Sequence, residues 1–169
     1  MKKNTLMSVL TIDKSIETII ATRKLLIQLV EELSGEEINV IPPGFNNNIA
    51  WNLGHVVATQ QVLFYRLSGL PLLLPDALVA KYAKGSKPEA MIAATEIIYL
   101  KEAAVTLMQQ LIIDLEKNAF TGFKPYATSF GVQLNNIQEV IKYITMHEGL
   151  HLGYAMAMKR VLQSASLLQ

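Results

Sequence analysis

Apolar residues recur at three- and four-residue spacing along most of this chain, the period of amphipathic helices rather than strands. From about Val9 to Leu33 the run Ile12, Ile16, Ile19, Ile20, Leu26, Leu29, Val30 and Leu33 keeps that period until Gly35 breaks it, which predicts a first long helix. The segment "IPPGFNNN" holds two prolines and a glycine and reads as a loop, and its last asparagine, Asn48, is a good N-cap for a second helix reaching about Leu67. A connector with one short helix after Pro75 follows, and Pro88 opens a third long helix through about Lys117. The stretch "NAFTGFKPYATSFGVQL" reads as a loop. Asn135 with Gln138 three residues on then announces a fourth helix, to about Gln163. Four long helices joined by connectors of unequal length predict an all-α four-helix bundle, and in such bundles facing helices build metal sites in the core.

Composition narrows this picture. A chain of 169 residues, 51% hydrophobic and 17% charged, can bury one sizeable core and shows no internal break, so a single domain over residues 1–169 is expected. The net charge of +1 comes from evenly spread acids and bases, without the basic stripe of a nucleic-acid binder. The lysines of "MKKNTLMSVL" precede apolar residues, but Asp13, Lys14 and Glu17 interrupt the run short of a signal peptide. No window approaches a membrane span, and a cytoplasmic protein that binds neither membrane nor nucleic acid is the expectation. Without cysteine, a metal site would have to draw on His, Asp and Glu.

The chain has three histidines. His147 and His151, in "TMHEGLHLGYAM", are four residues apart and share a helix face. Val140, Tyr143, Tyr154 and Met158 fall within about 40° of His147 on the helical wheel, so this stripe faces inward. The face of the second helix carries Asn48, Trp51, His55, Thr59 and Val62 with Asn52 at its edge, a mixture suited to a pocket wall. A lone buried histidine is more often a core residue bonded to a carbonyl, but two neutral imidazoles on one apolar stripe need two partners, and one divalent cation satisfies both. His55, His147 and His151 are therefore the candidate metal ligands, and Trp51, Asn52, Tyr143 and Tyr154 the candidate substrate-binding residues. Glu148 reads as a solvated or helix-flanking acid rather than a catalyst. Gly149 and Gly153 lie opposite the histidines and suggest a close helix approach, inside the bundle or across a homodimer.

"NNNIAWNLGH" followed later by "HEGLHLGYAMAMKRVL", with the connector "YAKGSKP" between them, resembles the DinB-like superfamily, also called the YfiT/DinB family, over nearly the whole chain. The resemblance implies a four-helix metal protein in which one histidine of the second helix and an H-x3-H pair of the fourth hold a divalent metal, matching His55, His147 and His151. Many members carry Gln where this chain has Tyr154. Three imidazoles accept Zn or Ni foremost, and Fe or Cu as well. They leave an open position for water in hydrolysis or for an exogenous thiolate. DinB-like relatives include transferases and isomerases that use mycothiol or bacillithiol, and a related domain supplies three histidines to iron in sulfoxide synthases. The expectation is a metal-dependent transferase joining a low-molecular-weight thiol to a small electrophile. The alternatives are a metal-dependent hydrolase, with Glu148 as the sequence-local base about 60° from His151 on the wheel, and a non-catalytic metal or small-molecule binding protein. A wide, partly basic opening would favour an anionic thiol, an acid beside the metal would favour hydrolysis, and a sealed site would favour a structural role.

Overall fold

A computed structural model describes the backbone of residues 2–166 and the side chains of residues 14–164. The chain forms five α-helices among the described residues: α1 (Lys2–Glu31), α2 (Ile49–Gln60), α3 (Asp76–Lys81), α4 (Ala94–Glu116) and α5 (Ile137–Ser166). A two-stranded antiparallel hairpin, β1 (Tyr126–Ala127) with β2 (Gln133–Leu134), is the whole of the sheet. The long helices α1, α2, α4 and α5 make an all-α bundle in which α1 packs mainly on α5, while α2 packs on both α4 and α5. The apolar stripe of α1 supplies Ile16, Ile19, Leu26, Leu29 and Val30 to the core; the side chains of Val9 and Ile12 lie outside the described residues.

Capping explains where α2 and α5 start. Asn48 is the N-cap of α2, its side chain accepting from Trp51 N at 2.8 Å. Beyond Gln60 the helix continues through Gln61–Arg66 as a wider turn, with Leu67 N donating to Val62 O five residues back. The fourth expected helix, α5, begins one residue later than Asn135 and Gln138 suggest. Asn136 Oδ1 accepts from Glu139 N at 3.0 Å and Asn136 Nδ2 donates to Glu139 Oε1 at 3.1 Å, so the reciprocal pair is Asn136 and Glu139, while Asn135 N donates to Glu139 Oε2 at 2.7 Å. The third long helix starts at Ala94 rather than at Pro88 because Asn39 clamps the preceding chain. Its Oδ1 accepts from Ile92 N at 2.8 Å and its Nδ2 donates to Ile92 O at 3.2 Å, pinning buried Ile92 outside the helix. The aromatic loop before α5 folds into the hairpin, turned by Gly131 at φ +74°, a left-handed conformation open to glycine.

Two expectations are corrected by packing. Glu148 is not solvated: at 1% exposure it lies in the bundle against Arg23, which is 3% exposed. Arg23 Nη2 donates to Glu148 Oε1 at 2.6 Å and Nε to Oε2 at 3.0 Å, while Nη1 donates to Gln60 Oε1 at 2.7 Å and Ala104 O at 3.1 Å. Gln60 Nε2 donates in turn to Leu107 O at 3.0 Å, so one buried polar node ties all four long helices. Burial pushes the Glu148 carboxyl up and the guanidinium opposes it. Gly149 and Gly153 bring no helix close within the bundle: both are exposed, and a Cβ at either would meet nothing within 4 Å.

Candidate metal centre

The i, i+4 spacing on α5 and the second-turn position on α2 bring the three imidazoles into one cluster. Ring centroids lie 4.5 Å apart for His147 and His151, 4.7 Å for His55 and His151, and 5.2 Å for His55 and His147. One nitrogen from each falls within 4.8 Å of the others. His55 and His147 are buried and His151 is partly so.

Hydrogen bonds select the tautomers. His55 Nδ1 sits 2.7 Å from Tyr82 O, and a carbonyl only accepts, so Nδ1 carries the proton and Nε2 keeps its lone pair. Thr59 Oγ1 lies 3.3 Å from that Nε2. His151 Nδ1 sits 2.7 Å from Asn52 Oδ1. The amide cannot be reversed without loss, because Asn52 Nδ2 donates to Asn48 O at 2.7 Å; His151 therefore donates from Nδ1 and also frees Nε2. His147 Nδ1 is buried without a hydrogen-bond partner.

Tyr82 reaches His55 because of Gly54. A Cβ on Gly54 would lie within 2.6 Å of three atoms of the Tyr82 ring, so the tyrosine packs on bare backbone. Its hydroxyl donates to Glu96 Oε1 at 2.5 Å, and burial with this bond raises the Tyr82 phenol. Trp51 stacks on His55 with centroids 4.6 Å apart, and its indole donates to Ser86 Oγ at 3.0 Å, tying the connector to α2.

The electrostatics suit ligation. Burial lowers His55, with the Tyr82 bond opposing. Burial, reinforced by His55, brings His147 down to about 4. Burial, reinforced by His147 and His55, brings His151 down to about 3. All three are neutral donors at neutral pH. Two oriented imidazoles, a third with an orphaned buried nitrogen and no thiolate form a donor set that fits one divalent cation.

The cluster opens into a cavity of about 440 Å³. Trp51 and Tyr143 are on its wall, with Tyr143 5.7 Å from the His147 ring. Asn52 lies behind His151 rather than on the wall. Tyr154 is also off the wall, 49% exposed and edge-on to Phe45 at 5.2 Å. It shares the angular face of His147 but stands two turns along, and the cavity reaches only from Tyr143 to His151 on α5. Side chains from the connector and the hairpin complete the wall: Tyr82, Lys84, Tyr126, Ser129 and Phe130. Their sequence neighbourhoods read only as loop, because long-range placement leaves no periodic signal. No helix among the described residues is long and apolar enough to cross a membrane.

No curated protein sequence matches the chain. The family model of the DinB superfamily matches residues 18–155, which contain all three histidines, the buried node and the connector. The chain, an all-α bundle with a three-histidine cluster suited to a divalent metal, belongs to the DinB superfamily.

Proposed function

We propose that this protein is a metal-dependent transferase that joins a low-molecular-weight thiol to a small electrophile, with His55, His147 and His151 as the metal ligands. The observation that carries the reading is the combination of a neutral three-histidine cluster with an open cavity whose wall, among the described residues, holds no carboxylate. Zn or Ni, or else Fe, bound to three imidazoles would keep a coordinated thiol ionised at neutral pH and so provide a nucleophile that this cysteine-free chain lacks. Hydrolysis would ask for a base beside the cluster. Glu148, the acid nearest in sequence, is held by Arg23 inside the bundle.

The chain's own side chains have separable roles in this reading. Asn52 and the Tyr82 carbonyl aim the imidazoles of His151 and His55. Trp51 and Tyr143 form an aromatic wall on which an electrophile can lie. Tyr143 adds a phenol to the cavity lining, and burial raises it. Tyr154 and the loop residue Phe45 stand outside this wall and are assigned no contact with the reacting groups.

The test begins with elemental analysis of wild-type protein from its native host and of the His55→Ala, His147→Ala and His151→Ala variants; folded variants with full occupancy would remove the ligand assignment. Protein loaded with Co(II) is then titrated with bacillithiol, mycothiol, glutathione and coenzyme A, and turnover is measured with a chlorinated or epoxide electrophile. A sulfur-to-cobalt absorption band with one thiol, and turnover lost on chelation, is the expected result. Hydrolysis of an ester or amide with no thiol response would replace the reading with the hydrolase one.

A further inference from the structure

We propose that Arg66 and Lys84 form an anion subsite on the wall of the histidine cavity, and that the thiol taken there carries a carboxylate. That the ligand is a thiol rests on the transferase reading; that it carries a carboxylate rests on the charge distribution of the cavity.

Arg66 ends the widened turn of α2 and Lys84 lies in the connector after α3, so two separate elements bring positive charge to the lining of one cavity. Lys84 makes no ion pair among the described residues, and Gly85 beside it turns the connector at φ +88°. Arg66 Nη2 donates to Asp76 Oδ1 at 2.8 Å, but Asp76 is mostly exposed and off the cavity wall. An exposed pair of this kind holds a guanidinium weakly, and the remaining donors of Arg66 stay available. No described acid on the wall offsets the two charges, and Trp51, Val62, Leu63, Val79 and Phe130 supply apolar surface that concentrates the field.

Arginine and lysine together suit a small oxyanion, the planar fork matching a carboxylate edge. The cavity of about 440 Å³ has room for a compact molecule spanning from this subsite to the histidines. A thiol whose negative group is held by Arg66 and Lys84 shares one cavity with the histidine cluster and with the aromatic side chains of Trp51 and Tyr143.

The experiment compares Co(II)-loaded protein with mercaptosuccinate, 3-mercaptopropionate, 2-mercaptoethanol and cysteamine, which differ in charge from dianion to cation, and with coenzyme A as a phosphate-bearing thiol. Metal-free protein is titrated separately with succinate by NMR. The subsite predicts affinity falling from dianion to cation, with at least about tenfold between mercaptosuccinate and 2-mercaptoethanol. That preference should shrink with added salt and collapse in Arg66→Gln/Lys84→Gln, while Lys24→Gln, outside this cavity, should keep it. Tighter binding of coenzyme A than of mercaptosuccinate would overturn the carboxylate assignment. Equal binding of all thiols, with no succinate shifts, would overturn the subsite and leave the transferase reading standing. Succinate shifts at Arg66 and Lys84 without any thiol response would support the subsite and overturn the transferase reading.

Discussion

Asn52 makes two hydrogen bonds in opposite senses, donating to Asn48 O and accepting from His151 Nδ1, and this fixes both its own amide and the imidazole. Asn52→Leu removes the acceptor while keeping the volume, so the helix should survive and the histidine lose its orientation. Removal of such a partner typically weakens metal binding by about 10- to 100-fold. Competition with a chromophoric chelator measures it, and an unchanged affinity would show that His151 is oriented by something else. Gly54→Ala acts through Tyr82, which is buried and held at its far end by Glu96. With no room to retreat, the ring should move and take the Tyr82 carbonyl from His55. Overpacking of this sort costs about 1–3 kcal/mol, so both the melting temperature and the metal affinity should fall. A variant that melts as wild type would mean that the ring slides freely.

At the scale of elements, the buried node of Arg23, Gln60, Glu148 and the α4 carbonyls sets the rotation of the two helices that carry the histidines. Glu148 directly follows His147, and Gln60 lies five residues after His55 on the continuous second helix. Arg23→Met should destabilise the fold by about 3–5 kcal/mol, because Glu148 is left buried without its countercharge. Arg23→Met/Glu148→Met should recover most of that loss in denaturant unfolding; a double variant as weak as the single one would show that the node contributes more than charge balance. The sequence hid this node because an acid between two histidines on an amphipathic helix looks the same whether its neighbour is water or an arginine 125 positions away. What depended on local period was legible: the four long helices, the N-cap Asn48 and the shared face of His147 and His151. What depended on distant partners was not, as with Asn39 delaying α4, the hairpin bringing Phe130 to the cavity, and Tyr154 standing beyond the cavity's end. The N-cap of α5 was missed by one position because "NNIQE" offers two asparagines, both bonded to the Glu139 carboxylate, and only the second accepts from Glu139 N.

Across the whole molecule, the histidine cluster makes stability depend on pH in a definite direction. The unfolded chain protonates its histidines near the ordinary value of about 6.5, whereas the folded chain holds His147 at about 4 and His151 at about 3, with His55 lowered as well. Between those values the unfolded state binds more protons, so stability falls as pH falls, and it is insensitive to these groups above the unfolded value. The largest slope is about 1.4 kcal/mol per pH unit for each histidine that stays neutral in the fold. Metal-free protein should therefore lose denaturant midpoint steadily from about pH 6.5 toward pH 5, a window above the ordinary carboxylate values of about 3.9 to 4.3. Added Zn(II) should raise the midpoint at neutral pH and lose its effect as protons displace it from the imidazoles, making the acid fall of the loaded protein steeper than that of the metal-free one. Replacing all three histidines by phenylalanine should flatten the metal-free profile over the same window. A wild-type midpoint constant from pH 7 to pH 4.5 would show that the folded cluster accepts protons as readily as the unfolded chain, and that its burial exerts no such control.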